Sequence, residues 1–239
     1  MEQIVEYIYA NQRYMSEYTK SIMWNCKNPE EMREIKREMI VDIHTHIMPD
    51  IDDGSRGIYE SIVLLNLAVD KGITDVFLTP HSYFIHDNIY DRFDKFKSEI
   101  SKYPIPIRLW LGCEVLSTPD TIDDAIENLK SGKYPTMNGT KYVLIEPYPY
   151  RIEEAPVREM IEQYRKAGFE PILAHHERYY NVKNLRGVLK QSNASEYQWK
   201  RKTDFIGSDT HRLEWREPNV IKNQGKFNQN CINYLNIKA

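Results

Sequence analysis

Asp42-Ile43-His44-Thr45-His46-Ile47-Met48-Pro49-Asp50-Ile51-Asp52-Asp53-Gly54 is the stretch on which the reading of this 239-residue chain turns. It follows a short apolar start, Ile40-Val41, and sets Asp42, His44 and His46 at every second position. Successive strand side chains point to opposite faces, so these three project to one side. Two imidazoles followed within ten residues by three carboxylates make a poor core and a good metal site.

The same layout recurs further along. Ile62, Leu65 and Val69 predict a helix over Tyr59 to Lys71, closed by Gly72, and the strand Thr74 to Pro80 then delivers His81. A helix over Tyr90 to Lys102 and a strand over Ile105 to Leu111 lead to Glu114. A short helix, Ile122 to Leu129, precedes a strand from Lys141 to Ile145 that ends in Glu146. A helix over Pro156 to Ala167 precedes the strand Pro171 to Ala174, ending in His175. A last helix is expected over Val182 to Lys190, before a strand over Asp204 to Ser208 that delivers Asp209 and His211. From His46 through His81, Glu114, Glu146 and His175 to Asp209, the intervals run from 29 to 35 residues. Each is about one βα unit. In an α/β barrel the C-terminal strand ends converge on one mouth, so the spacing predicts a barrel with metals held there. Residues 1–38 read as a helical extension, with a helix start at Asn28-Pro29-Glu30-Glu31, and residues 39–239 as the compact α/β domain.

Composition narrows the class. A net charge of −3 offers no basic footprint, which argues against nucleic acid or an anionic membrane as the main partner. No apolar run approaches the roughly 18 residues of a membrane span, and the N-terminus lacks the layout of a signal peptide. Cys26, Cys113 and Cys231 are widely spaced, with no Cys-x-x-Cys pair. Such usage fits a reducing compartment, so a cytoplasmic protein is expected.

The nine candidate ligands are His44, His46, Asp53, His81, Glu114, Glu146, His175, Asp209 and His211. Imidazole and carboxylate without thiolate favour zinc, manganese or iron over a structural zinc site. One ion needs four to six ligands, so two or three ions sharing carboxylates is the economical reading. Clustered cations acidify water and clamp a phosphoryl group. Arg178 and Arg216 follow the ligand-bearing strand ends and are suited to grip phosphate oxygens bidentately. His176 is expected to face the other way as a packing residue, and His86 to lie in an exposed loop. No cysteine has an arginine six residues later, and there is neither a Gly-rich phosphate loop nor a Gly-x-Ser-x-Gly elbow.

The set Asp42-Ile-His-Thr-His46, Asp52-Asp-Gly-Ser55, Thr79-Pro-His81, Gly112-Cys-Glu114, Leu144-Ile-Glu146, Ala174-His-His-Glu-Arg-Tyr179 and Gly207-Ser-Asp-Thr-His211 resembles the polymerase-and-histidinol-phosphatase (PHP) superfamily. The Asp-Asp-Gly and His-x-Glu-Arg-Tyr segments look like its bacterial protein-tyrosine phosphatase branch, which acts in capsular and exopolysaccharide regulation. The resemblance covers roughly residues 39–215. It implies a distorted, TIM-like seven-stranded α/β barrel and a trinuclear site, usually manganese or iron. By resemblance His44, His46, Glu114 and Asp209 would hold one ion, and Glu114, Glu146 and His175 a second. Asp53, His81 and His211 would hold the third. A metal-bridging hydroxide would attack phosphorus while Arg178 and Arg216 hold the phosphate. The implied substrate is the phosphorylated tail of a bacterial tyrosine kinase, with homo-oligomer formation left open.

The chain also departs from that pattern. Members usually carry two βα units between the positions matching His175 and Asp209, whereas here 34 residues hold about one. Gln191 to Lys202 reads as the remains of a deleted strand and helix. The part after Arg216 is short, with no clear amphipathic final helix. Two other readings therefore stand beside a protein-tyrosine phosphatase: a phosphoesterase for a small ester such as histidinol phosphate, and a non-catalytic scaffold.

Overall fold

The computed structural model describes residues 38–182, 185–198, 202–221 and 224–237. The expected helical extension thus falls, but for its last residue, outside the described residues.

The chain is a mixed α/β fold built on parallel strands. β1 (Val41–Thr45), β2 (Asp75–Leu78) and β3 (Arg108–Leu111) form one sheet in that order. β4 (Glu114–Ser117), β5 (Tyr142–Pro147), β6 (Glu170–Leu173), β7 (Leu189–Asn193) and β8 (Phe205–Gly207) form a second. All pairings are parallel. Helices α1 (Ile58–Asp70), α2 (Ile89–Ile100), α3 (Ile122–Lys130) and α4 (Glu154–Lys166) lie within about two residues of their expected positions, and α5 (Gly225–Leu235) closes the chain.

Both faces of most strands are buried, as parallel sheets require; β3 is the exception, with Arg108 exposed. Phe77, Leu144, Ile172 and Phe205 pack with Val41 and Ile43 in one core. Their strand neighbours Val76, Leu78, Val143, Ile145 and Leu173 join a larger core under the helices. The period-2 alternation therefore sorts two apolar layers rather than a wet and a dry side.

The hydrogen-bonded strands do not make the closed barrel expected from the spacing. The ladder is interrupted at Gly112-Cys113, where one run of chain leaves β3 in the first sheet and enters β4 in the second. The sheets meet through single bridges at the site end, His81 with Glu114 and Thr45 with Thr210. There His46 N donates to Thr210 O at 2.7 Å and Asp209 N to His44 O at 2.8 Å. β1 and β8 are thus side by side at their C-terminal ends without a full ladder between them.

The expected deletion is corrected in part. Gln191 to Asn193 are not the residue of a lost strand; they form most of β7, which pairs with β6 and β8. No helix over Val182 to Lys190 appears among the described residues. Gly187 sits at φ 70°, which breaks a right-handed helix, and the chain extends from Leu189 instead. No helix is described between β6 and β7 or between β7 and β8 apart from a 3-10 turn at His176–Arg178.

The C-terminal end also differs from expectation. α5 is amphipathic, with Phe227, Cys231 and Leu235 buried at spacings of four. Its amides cover the outer edge of β1: Asn228 Oδ1 accepts from Val41 N at 3.1 Å, and Gln224 Nε2 donates to Val41 O at 2.7 Å. An otherwise open strand edge is satisfied by side chains. No helix among the described residues is long and apolar enough to cross a membrane.

Candidate metal centre

His81, Glu114, Glu146, His175, Asp209 and His211, all at or just beyond strand ends, line one cavity of about 410 Å³, and the buried His44 and His46 rings lie against them. β1 supplies His44 and, just after its end, His46; the chain after β2 supplies His81, β4 Glu114, β5 Glu146, and the chain after β6 His175. Asp209 and His211 follow β8. His175 at φ 28° and Asp209 at φ 55° have left-handed backbones, a conformation His and Asp tolerate better than most, and one that bends the chain at the strand end.

All nine candidate ligands come together, and eight of them are almost wholly buried. Glu114 is the centre. Its Oε2 lies 3.2 Å from His44 Nε2, 3.4 Å from His46 Nε2 and 2.9 Å from His81 Nδ1, and its Oε1 lies 2.9 Å from His175 Nε2. Glu146 approaches His175 Nε2 at 3.5 Å and His81 Nδ1 at 3.9 Å. Asp53 Oδ1 is 3.5 Å from His81 Nε2 and 3.6 Å from His211 Nε2. Asp209 Oδ1 faces His44 and His46 at 3.6 and 3.5 Å. Three sets have donor atoms within 4.8 Å of one another: His44, His46 and Glu114; His81, Glu114 and Glu146; His46, Asp53, His81 and His211.

The family described as "Capsular polysaccharide synthesis, CpsB/CapC" matches residues 40–192, more than half of the chain. The chain belongs to the CpsB/CapC family. It is 33% identical to CapC of Staphylococcus aureus over 148 residues, 58% of this chain and 54% of that one, so the match spans about half of that relative. It is 26% identical to the tyrosine-protein phosphatase CpsB of Streptococcus agalactiae over 213 residues, covering 75% of this chain and 86% of the relative. A solved structure from the pair YwqE of Bacillus subtilis and CpsB of Streptococcus pneumoniae, described as metal-dependent tyrosine phosphatases, superposes with a TM-score of 0.61 at 21% identity. That overlap covers 81% of this chain and 87% of the other, and it establishes a shared fold.

Within this CpsB/CapC chain, hydrogen bonds outside the cluster orient the rings. Asp52, quoted in the motif but given no role by the sequence reading, takes His46 Nδ1 at 2.7 Å on Oδ2 and also accepts from His81 N at 3.0 Å. His211 Nδ1 donates to Asp209 O at 2.8 Å. Both contacts turn an Nε2 lone pair inward, the usual support of metal-binding imidazoles. His176, as expected, is directed away and contacts Thr203 Oγ1 at 2.9 Å. His86 is exposed.

Electrostatically the cluster is held by opposite charges. Burial by itself would raise the Glu114 carboxyl; His44 and His81 beside it outweigh that and hold it well below the usual range. Asp209 is lowered in the same way, against its burial, by His44 and His46. Glu146 goes the other way, raised by burial and by the neighbouring Glu114. Burial and the nearby His46 push His211 down to about 3.

Arg178 and Arg216 line the cavity, and both bond to Asp209 Oδ2, Arg178 at 3.0 Å. Arg178 also reaches Glu196 at 3.2 Å. Tyr83, Tyr148, Tyr150 and Trp215 form an aromatic rim. Trp215 is half-exposed, 4.7 Å from the His211 ring, with the Arg216 guanidinium 5.6 Å from its own ring centre. Tyr150 donates its hydroxyl to Glu146 Oε1 at 2.6 Å. Strand-end spacing carries no signal for which tyrosines reach the mouth.

Proposed function

We propose that this chain is a metal-dependent protein-tyrosine phosphatase that hydrolyses phosphotyrosine on a protein partner. The observation that carries the reading is a nine-donor His, Asp and Glu cluster at the floor of a cavity walled by two arginines and rimmed by aromatic rings. The donors fit divalent ions. Glu114 Oε2, His81 Nδ1 and Asp53 Oδ1 are buried without a protein hydrogen-bond partner, an expensive arrangement unless a cation takes them up. The three donor sets around His44, His46 and Glu114, around His81, Glu114 and Glu146, and around Asp53 and His211 would hold two or three ions. His175 and Asp209 would complete them. Manganese is our assignment on the resemblance to the PHP superfamily; the imidazole and carboxylate donors, without thiolate, also suit iron or zinc.

Bound ions would supply Lewis-acid polarisation of a phosphoryl oxygen and a more acidic water. The chain's own groups do the rest. Arg178 and Arg216 turn from Asp209 toward the phosphate oxygens, matching them with planar forks. The rim rings of Tyr83, Tyr148 and Trp215 accept the flat phenyl group, which aromatic side chains stack against well. Asp52 keeps His46 and the start of the His81 turn in place. We read the two sheets as one interrupted barrel, residues 39–239 as its domain, a bacterial tyrosine kinase tail as the substrate and the cytoplasm as its location.

The deciding experiment uses the full chain. Bound metal is measured, and hydrolysis of a phosphotyrosyl peptide and of histidinol phosphate is followed with Mn²⁺ and with a chelator. Metal-dependent turnover of the peptide is expected, abolished by the chelator. Faster turnover of histidinol phosphate would transfer the assignment to a small ester. A folded, metal-loaded protein inactive on both would refute the phosphatase reading.

A further inference from the structure

We propose that Gln191 and Asn193 of β7 are positioning residues: an amide relay that holds His44 with its proton on Nδ1 and couples that ring to the Asp209 carboxylate. The inference rests on the metal-dependent reading above, because it concerns which nitrogen His44 offers to the cluster.

Both side chains are fully buried. The backbone N–H of His175 lies 2.7 Å from Gln191 Oε1. A backbone N–H can only donate, so the atom facing it is the amide oxygen and not the amide nitrogen, which removes the usual ambiguity of a glutamine. The same oxygen is 3.2 Å from His44 Nδ1. An amide oxygen can only accept, so Nδ1 carries the proton. His44 Nε2 is then the nitrogen left to bind a cation, and it is this atom that stands 3.2 Å from both Glu114 Oε2 and His46 Nε2.

The other end of the relay is equally determined. Gln191 Nε2 must donate, and its partner is Asn193 Oδ1 at 3.0 Å. That leaves the Asn193 amino group to donate to Asp209 Oδ2 at 2.9 Å. Reversing either amide would set N–H against N–H, or oxygen against a carboxylate. Asn193 is further pinned by its own backbone N–H, which donates to Glu177 Oε1 at 2.7 Å. Arg178, Arg216 and Asn193 thus all hold Oδ2, and Oδ1 is left facing His44 and His46.

An imidazole protonated on Nε2 would aim a donor at the place where a cation binds. His46 and His211 avoid this through a carboxylate and a carbonyl oxygen; His44 does so through a neutral amide that reaches it from β7. Outer partners of this kind commonly change metal affinity by about 10- to 100-fold. The polar Gln191-Ser192-Asn193 run, unsuited to a core by composition, is therefore retained at the centre of a sheet because both amides are spent on the cluster.

The test is direct. In ¹⁵N-histidine-labelled protein, at a pH that leaves the rings neutral, long-range ¹H–¹⁵N spectra report each tautomer, and loss of a signal in His44→Ala assigns His44. Nδ1–H is expected in the wild type. Gln191→Leu should lose that tautomer and bind Mn²⁺ about 10- to 100-fold more weakly by calorimetry. Gln191→Glu, which keeps an accepting oxygen toward His44 Nδ1 but loses the donor to Asn193 Oδ1, should restore the tautomer without restoring the hold on Asp209. A wild-type His44 protonated on Nε2 overturns the relay, as does a folded Gln191→Leu with wild-type tautomer and affinity. Should Gln191→Leu not fold, the wild-type and Gln191→Glu spectra decide. Failure of the wild type to bind Mn²⁺ would instead defeat the metal-dependent reading, and the tautomer would still be measured.

Discussion

Gly207→Ala tests how tightly the two sheets are drawn together at the site. A Cβ at this position would lie 2.5 Å from His44 Cβ, 3.1 Å from His44 N and 3.0 Å from Gln191 Nε2. Carbon atoms rest about 3.5–4.0 Å apart, so β8 and β1 would have to separate by roughly 1 Å or more. The clash is with the base of a side chain and with backbone, and neither swings aside as a flexible tip does. Overpacking of this kind costs about 1–3 kcal/mol. In a chain of this size each kcal/mol lowers Tm by about 2–4 °C, so a fall of roughly 2–12 °C is expected. The shift moves His44 relative to Asp209, two residues beyond Gly207. A 1 Å misplacement of reacting groups costs on the order of 100-fold in rate. Thermal melting and kcat/KM on a phosphotyrosyl peptide measure both effects. Gly225→Ala is the control: its Cβ would meet nothing within 4 Å, and alanine favours the start of α5. Its Tm should hold or rise. A Gly207→Ala protein with wild-type Tm and kcat/KM would refute the argument that the close approach of β8 to His44 builds the site.

Glu114→Gln preserves shape but removes the charge that four imidazoles surround. At least one ion should be lost by metal analysis and kcat should fall by about 1000-fold, the effect of several kcal/mol at the transition state, with circular dichroism unchanged. Wild-type metal content would contradict a central role for this carboxylate. Trp215→Ala should raise KM for a phosphotyrosyl peptide about 2- to 10-fold while leaving a small alkyl phosphate unaffected, since only the aromatic ester stacks on the rim. Equal effects on both substrates would rule out that contact. Glu60 gives a pH prediction. Burial raises its carboxyl, but Arg56 and the backbone N–H of Leu213 more than offset this, so its pKa ends below the ordinary range. Its folded value is below the unfolded value of about 4.3, so its stabilisation is complete above that pH and fades as pH falls through the folded value. Glu60→Gln should therefore flatten the acid side of the stability profile, and an unchanged acid slope would exclude Glu60 as a contributor.

The alternation Asp42, His44, His46 and the 29- to 35-residue intervals were enough to find β1, the strand that delivers each ligand, and all nine side chains that the fold gathers. Those signals are local: a short apolar strand ending in a polar residue needs no knowledge of its neighbours. β7 escaped that reading because Leu189-Lys190-Gln191-Ser192-Asn193 has neither apolar alternation nor β-branched residues. It becomes a strand only because β6 and β8 pair with its backbone and because His175, His44 and Asp209 use its amides. α5 was missed for a similar reason. Its many Asn residues dilute the apolar face, and Gln224 and Asn228 at its start are explained by the edge of β1, about 185 residues away in sequence. The break at Gly112-Cys113 that divides the expected barrel into two sheets is likewise invisible in the spacing, since a stave that changes partner has the same length as one that does not.

The sequence alone thus determined which imidazoles and carboxylates the mouth contains. The tertiary structure decided how those groups are held, with Asp52 on His46, Gln191 on His44 and Asn193 on Asp209. The reason is physical. A metal-binding side chain is specified by its own donor atoms and by its place at a strand end, both written locally. Its tautomer and orientation depend on hydrogen-bond partners that only folding brings within 3 Å.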